Sequence, residues 1–536
     1  MNFKVSLRGQ RASVCLACAF ALVLASPGAF AQPSATPAPD ASGTTPPPGS
    51  TPNGTTAPSE APPPAPAANA PNDATAPAGA PAPADTSGEV SSGSGLFEAS
   101  QSGEASASGA SEAPASTGAE FNGYVRGDLF AGETRYRQHA EMKAAYSEAA
   151  LRLTLKKEKF GDAFAEARLR YGLQGDTSGL IVDLREAYVN LYAGPLDLRL
   201  GKQIVVWGRA DALNPTSNLT PVDFRVHSPQ EDDRRVGNVG ARAFLNFQPL
   251  RLEGVWMPLY EPTQLPPLPL PPRVVVGDPT YPVPHLQNGT EGGRIHLEFP
   301  AVEMSASYVY GYAPLPGLLH GTITNLGNAA AQAEITRVAY NQHVVGFDFA
   351  TTLFDWLGLR GEAAYRDPLH FRDRVYAPNP DVQYVVGVDH TFGEVSVIAQ
   401  YLGRYVINYQ KYLEGNADTE QLVLQNAARV DQAEAQIDGV LRAKNQILFS
   451  QLHQVQNMAS LRVEWLTMHQ TLTASALAFV NFSTQEWLLF PKIAYALSDN
   501  MTATVGAEIY EGPSDTLFGV IRSELSAGYG ELRMAF

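Results

Sequence analysis

Cysteine is nearly absent: the 536 residues hold two, Cys15 and Cys18, both inside the first apolar stretch. Once that stretch is removed, no disulfide, thiol nucleophile or Cys-ligated metal is available. Beyond it there is no run of about 18 apolar residues, which excludes a helical membrane protein. Lys and Arg are missing between Ala12 and Val125, and between Gln32 and Gly118 the only aromatic is Phe97. The net charge of −16 comes without a basic stripe, which argues against nucleic acid as a partner. No Gly-x-Ser-x-Gly turn accompanies the ten histidines, of which His139, His227, His285, His320 and His370 fall in or beside expected loops and His296 points to a strand's polar face. No metal-ligand set stands out, no cofactor is expected, and the chain is not expected to be an enzyme.

The front of the chain is an export signal. Lys4, Arg8 and Arg11 precede apolar residues Ala12 to Ala25, too few to span a bilayer, and Ala29-Phe30-Ala31 supplies the small-x-small cleavage pattern. A lipoprotein with Cys18 acylated is the weaker alternative, because more apolar residues follow it. Residues 32–118 are dominated by Pro, Ala, Ser, Gly and Thr, with scattered acids such as Asp40, Glu60, Asp73 and Glu89. Such a segment cannot bury enough apolar surface to offset its chain entropy. It is expected to be a disordered periplasmic tether, acting as a spacer or as a docking strip for peptidoglycan or a periplasmic partner.

From residue 119 the pattern has period two. Leu151, Leu153 and Leu155 alternate with Arg152, Thr154 and Lys156; after the turn at 158–162, Ala163, Ala165, Ala167, Leu169 and Tyr171 alternate with Glu166, Arg168 and Arg170. The same alternation returns at Glu186–Leu191, Ala241–Phe247, Glu303–Tyr312 and Leu461–Trp465. Pieces of about ten residues with one apolar and one charged face predict strands of a transmembrane barrel, apolar toward lipid and polar toward the lumen. A sandwich or propeller would bury the apolar face instead. Connections alternate short (158–162, 193–195, 248–250, 299–301, 354–356, 392–394, 469–471, 498–500) and long (207–236, 260–290, 313–338, 407–458), the asymmetry of periplasmic turns and outer loops. The fold class is therefore all-β: a single antiparallel transmembrane β-barrel spanning residues 119–536, with about 18 strands and 16 acceptable. In the last segment, 524–536, Leu532, Met534 and Phe536 share one face and Tyr529, Glu531 and Arg533 the other; a terminal aromatic on such a strand resembles the assembly signal of Gram-negative outer-membrane barrels.

Parity assigns a mixed set of charges to the lumen. The pore-lining candidates are Arg152, Arg168, Arg170, Glu186, Asp197, Arg199, Arg242, Glu253, Arg294, Glu298, Asp348, Arg360, Glu362, Arg462, Glu464 and Glu508, with Glu166 and Arg251 on the same faces. Two roles fit: structural pairing across neighbouring strands, or a transverse field that favours small hydrated solutes.

One stretch is more specific. A strand bearing Asp197 and Arg199 meets Gly201-Lys202-Gln203, then Trp207-Gly208 at the expected rim, then Asp211, Asn214-Pro215, Asn218 and Pro221, a loop that Asx hydrogen bonds can hold in one shape. Gly201, Lys202, Gln203, Trp207, Gly208, Asp211, Asn214 and Pro215 resemble a broad domain-of-unknown-function family of porin-like proteobacterial outer-membrane β-barrels, and 454–462 resembles a second strand start of that family. More distantly the stretch is similar to phosphate- and carbohydrate-type porins. The resemblance covers about residues 121–536 and implies a pore without naming its solute. For Trp207 a place in an aromatic girdle or in loop packing is expected ahead of solute contact.

Three long connections carry further signals. After Tyr409, Val423, Val430, Ile437, Leu441, Leu448, Leu452 and Val455 recur at helical spacing; an amphipathic helix here would either enter the mouth as a plug or pack over the outer rim. The Pro-rich run 265–272 predicts a stiff extended cap, and Glu231-Asp-Asp-Arg-Arg235 a solvated charge cluster. The expected function is passive diffusion of small hydrophilic solutes or ions across the outer membrane. The alternatives are a non-conducting barrel that anchors the envelope or serves an export complex, and a channel for hydrophobic or lipid molecules. Expected partners are outer-membrane lipid, small polar solutes and whatever the tether meets. Mass spectrometry of the chain extracted from envelopes is expected to find Gln32 as its first residue; an intact Met1 or an acylated Cys18 would contradict the signal assignment.

Overall fold

In a computed structural model the described residues are 118–536, apart from 135–136, 158, 176, 267–272, 327–329 and 413–429. The signal and all of the expected tether except Gly118 lie outside them. Strands run in chain order as β1 (Gly118–Thr134), β2 (Arg137–Lys157), β3 (Gly161–Gln174), β4 (Thr177–Ala193), β5 (Leu196–Gln203), β6 (Asn238–Phe247) and β7 (Leu250–Met257). Next come β8 (Val274–Val276), β9 (Thr290–Glu298), β10 (Val302–Tyr312), β11 (Gly317–Thr324), β12 (Gln332–Val338), β13 (Asn341–Leu353) and β14 (Leu357–Pro368). The last are β15 (Asp381–Phe392), β16 (Val395–Val406), β17 (Val455–Thr467), β18 (Leu472–Asn481), β19 (Glu486–Ser498), β20 (Met501–Glu511) and β21 (Ala527–Ala535). Eighteen of them form one antiparallel sheet, while β8, β11 and β12 form a small separate one among the long connections.

The large sheet closes on itself because β21 pairs with β1, from Tyr124↔Ala535 to Ala131↔Gly528. Phe536 continues that seam beyond the last strand, with Gly123 N–H donating to its carbonyl at 2.9 Å and its own N–H donating to Gly123 O at 3.0 Å. Closure removes every strand edge, the only way a sheet can satisfy its backbone in lipid. The eighteen strands agree with the count from sequence, and all the expected short turns fall on one rim together with both strand ends. The long connections fall on the other.

Alternation sets the two faces. Val125, Leu151, Leu169, Val345, Val386, Leu461, Ile493 and Val505 point outward and are exposed, although they are apolar. Phe121, Phe160, Phe354, Trp356 and Phe392 ring the short-turn rim, and Trp256, Tyr308, Tyr365, Tyr384, Tyr401 and Trp487 ring the other. The nine steps from Trp356 to Tyr365, at about 3.3 Å each and tilted by about 40°, put roughly 23 Å between the girdles, the height of a lipid-facing belt. Only an acyl environment makes such a surface stable.

Two helices sit on the long-loop side. α1 (Val430–Leu448) packs Leu441 with Ile335 and Val375, and Asn445 bonds Leu318 on both its N–H and its carbonyl at 2.8 Å. It therefore lies on the outer loops rather than entering as a plug, and its described part is shorter than the expected 423–455. α2 (Leu517–Leu525) occupies residues expected partly as strand; β21 begins only at Ala527. Thr516 caps its start by accepting from Gly519 N–H, and Lys143 of β2 caps its end by donating to Ser523 O at 2.8 Å and Ser526 O at 2.6 Å. Its apolar face, Phe518, Ile521 and Leu525, packs inward on Phe479 and Tyr510. Of the Pro-rich run, only Leu265 and Pro266 are described.

A single outward charge tests the belt. Val386→Arg, at a mid-strand position 48% exposed, is expected to cost about 2–4 kcal/mol in unfolding from lipid vesicles; an unchanged midpoint would mean that this face meets water.

Candidate functional site

The chain leaves β5 at Gln203 and, instead of rising to the rim, turns into the barrel. Ile204 N–H donates to Glu186 at 2.8 Å, and Thr220 clasps Val205 by accepting from its N–H at 2.8 Å and donating to its carbonyl at 2.6 Å. Trp207 is 1% exposed, in a cluster with Val205 and Leu219 of the same segment and with Val255, Met257, Val309, Val344 and Ala364 of the wall. Its indole N–H donates to Glu253 at 3.0 Å, and the Arg294 guanidinium lies 5.8 Å from its ring centre. Trp207 is a loop-packing residue, one of the two places expected for it, but it lies inside the lumen rather than at the rim.

The next residue explains the Trp-Gly pair. Gly208 has φ +98°, and a Cβ there would lie 2.1 Å from Asn214 Oδ1 and 2.6 Å from Glu362 Oε2. Glu362 of β14 occupies that space, accepting from Arg209 N–H (2.9 Å), Ala210 N–H (3.1 Å), Thr216 N–H (2.6 Å) and the Thr216 hydroxyl (2.8 Å). Asn214 shapes the turn by accepting from Ser217 N–H at 3.2 Å, and Asn218 donates to Pro215 O at 2.8 Å, the local bonds that the Asn-Pro pattern predicts. Gly201, at φ +137°, lies within β5 where a Cβ would come 2.2 Å from Ala187 O. Lys202 donates to Leu184 O at 2.6 Å and Gln203 to Gly240 O at 3.2 Å, so both hold the wall at the point where the segment departs.

From there the segment crosses the lumen on polar contacts. Arg209 joins Asp348 at 2.8 Å and Glu303 at 2.7 Å; Asp211 accepts from Arg462 at 2.8 Å. On the far side the 3-10 turn Glu231–Arg234 places Asp233 against Arg126 (2.7 Å) and Arg168 (2.6 Å), and Arg234 against Glu508 (2.7 Å). Burial works to raise the proton affinity of Asp233, but Arg126, Arg168 and Arg185 outweigh it and hold the carboxyl well below its usual range. Glu231 and Arg234 are 2% and 1% exposed, so the expected solvated cluster is in fact the buried end of the crossing.

The sixteen candidates divide accordingly. Arg168, Glu186, Glu253, Asp348, Glu362, Arg462 and Glu508 bond the crossing segment directly, Arg360 donates to Arg209 O at 3.3 Å, and Arg242 and Arg294 brace Glu253 and Asp348. The others pair along the wall: Arg152 with Glu166 (2.9 Å), Arg170 with Glu148 (2.6 Å), Asp197 with Asn246 (2.8 Å), Arg199 with Asn190 (2.8 Å) and Glu298 with Arg251 (4.0 Å). Glu464 is half-buried on the inner face of β17. Fifteen of the sixteen have a hydrogen-bond or charge partner named here among the described residues. Arg126 gathers Asp233, Asp128, Glu148 and Glu531 around it; of these only Glu531 is placed on a polar face by the sequence, although Arg126 and Asp128 share the Tyr124 and Phe130 parity of β1. Beside the crossing, a gap of about 10 Å³ lined by Pro229, Arg462, Lys492 and Glu508 has room for about one water.

Residues 12–268 match the model of a family described as "Protein of unknown function (DUF1302)", a span that contains β1 to β7 and the whole crossing segment. No curated protein matches the chain. Among solved structures it is similar to OpdL of Pseudomonas aeruginosa (11% identity, 78% of this chain and 98% of that one, TM-score 0.42). It is also similar to OccK9 (OpdG) of Pseudomonas aeruginosa (10%, 78% and 97%, TM-score 0.46) and to OccAB2 of Acinetobacter baumannii (10%, 78% and 97%, TM-score 0.44).

Glu362→Ala removes the acceptor of three backbone donors at about 1 kcal/mol or more each. Amide exchange at Arg209, Ala210 and Thr216 is expected to speed by about 100-fold, and Gly208→Ala to act in the same direction; unchanged exchange in both variants would show that the segment is held elsewhere.

Proposed function

We propose that this chain, whose first half matches a family of proteins of unknown function, is a constricted channel of the Gram-negative outer membrane for passive diffusion of small hydrophilic solutes or ions. The observation that carries the reading is the way the lumen is narrowed. A barrel meant only as an anchor needs no polar contacts across its lumen, whereas here the crossing segment from Arg209 to Arg234, apart from Ala210 and Ala212 in an apolar cluster, is held by ion pairs and hydrogen bonds. Polar groups of this kind can take up water in place of their partners, which an apolar core cannot, so a hydrated path can form along them. Residues 32–118 would hang in the periplasm as a tether.

Planar-bilayer recording of the full chain distinguishes the readings. The intact chain is expected to give small, resolvable steps, and replacement of residues 206–235 by a short Gly-Ser linker to raise conductance several-fold. Silence from both would favour the anchor or partner-binding reading. Equal conductance from both would mean that the segment does not set the narrowest point.

A further inference from the structure

The wall has a vacancy beside β4. That strand runs from Thr177 to Ala193, but β5 covers its far edge only from Ala187 to Ala193, because the chain turns into the lumen after Gln203. Nine steps up from Ala193, at about 3.3 Å each and tilted by about 40°, bring Leu184 roughly 23 Å above the short-turn rim, so the uncovered part begins where the lipid belt ends. Leu180, Ile181, Val182 and Leu184 are exposed there at 60%, 46%, 73% and 47%. The carbonyl of Leu184 points to the β5 side and accepts from Lys202 at 2.6 Å; in an antiparallel ladder Val182 and Leu180 turn their N–H and C=O groups the same way. On that side no backbone partner reaches Val182 or Leu180 among the described residues. A long apolar edge of this kind is a template for another strand.

The residues that leave the vacancy are strong strand formers. Ile204-Val205-Val206-Trp207 are β-branched and aromatic, yet residues 204–210 are in no strand. The pairing can be carried upward from Ala187↔Lys202, past the bulge in β4 at Arg185, with lipid-side positions kept together. Leu184 then stands opposite Ile204, Val182 opposite Val206 and Leu180 opposite Gly208. In the observed position Trp207 is instead bonded to Glu253 of β7, three strands or roughly 14 Å round the wall from β4. Room for the change lies above, in a cavity of about 330 Å³ between the segment and the long loops, lined by Leu213, Glu231 and Arg235 on one side and by Leu265, Leu315 and Phe449 on the other. A second copy cannot supply its own β4, since two-fold-related strands tilted by about 40° in one membrane cross at about 80°.

We infer that residues 204–209 have two positions, the observed one inside the lumen and a second in which they extend β5 upward along the vacant edge of β4. In the second, the Glu362 bonds to Arg209 and Ala210 are exchanged for ladder bonds to β4, and Trp207 leaves the wall at β7. The inference deepens the channel reading by supplying its gate, and it rests on that reading only for the effect on conductance.

Cys15 and Cys18 lie in the expected export signal, so an engineered pair reports without background. Val182 and Val206 would face each other as a hydrogen-bonded pair, with Cα atoms about 5.5 Å apart, which suits a disulfide. The full chain carrying Val182→Cys and Val206→Cys is reconstituted in lipid vesicles, oxidised with copper phenanthroline, scored for lost thiols by a maleimide gel shift and recorded in planar bilayers. It is expected to cross-link within minutes while keeping its folded electrophoretic form, and to conduct several-fold more than the wild type until reductant is added. Glu362→Ala added to the pair should speed cross-linking at least fivefold. Val182→Pro, which removes only the N–H that points to the vacancy, should cut the open time of the otherwise native chain several-fold. No cross-link after hours of oxidation, a rate unmoved by Glu362→Ala, a conducting chain with equal conductance cross-linked and reduced, or wild-type open times in Val182→Pro would overturn the inference. A chain that cross-links as expected yet is silent in every form loses only the channel reading, and one that conducts without cross-linking loses only this inference.

Discussion

A carboxylate shut inside a barrel has to find donors, and Glu362 finds them in the backbone of another part of the chain. Three N–H groups and one hydroxyl from residues 209–216 converge on it. The shape of the crossing segment follows. Gly208 must lack a Cβ because the carboxylate and the Asn214 amide occupy its place. Trp207, one residue earlier, is thereby set against the wall, and Arg209, one residue later, is aimed at Asp348 and Glu303. A sequence pattern that reads as an isolated Trp-Gly and Asn-Pro is one device with a partner about 150 residues away.

The reliance on polar contacts has a cause in the membrane. Outward positions of every strand must be apolar, and with period two the inward positions are what remains for polar residues. A segment that enters such a lumen meets charge over much of its course and is fixed there by ion pairs and hydrogen bonds, while Trp207 and, further on, Ala210 and Ala212 sit in two apolar clusters of the wall. Buried ion pairs of this sort are poor sources of net stability, since desolvation offsets much of their attraction. They are strict about geometry, because removing one partner strands the other at a cost of about 3–5 kcal/mol. Arg126, with Asp233, Glu148, Asp128 and Glu531 around it, therefore acts less as glue than as a register mark that admits one placement of the turn Glu231–Arg234.

The same physics decides what was legible from sequence. Lipid imposes alternation on every strand, so the faces at Leu151–Tyr171, the turn asymmetry, the eighteen strands and the seam at Phe536 all leave a periodic trace. The crossing segment has no period, and Glu231-Asp-Asp-Arg-Arg235 has the composition of a solvated loop whether or not each charge has a partner. Burial of a charge is decided by residues distant in sequence, here Arg126, Arg168 and Glu508, which no local window contains. α2 was hidden for a related reason: nine residues give about two and a half turns, and its apolar face is partnered by Phe479 and Tyr510 of distant strands.

The cavity and the constriction also share parts. Asn214, Glu231 and Arg235 belong to the crossing segment and at the same time line the cavity. On the channel reading proposed above, a molecule touching them would bind two positions of the segment with different affinity, and such a difference is the only means by which a solute can shift a conformational balance. The shift cannot exceed the difference in binding free energy between the two states. An ion that never enters the cavity has no such lever and passes, if at all, at the rate set by the ion pairs themselves. On that reading the cavity, whose wall is half apolar, and the ion pairs of the crossing segment would act on a solute in different ways, the first by affinity and the second by charge.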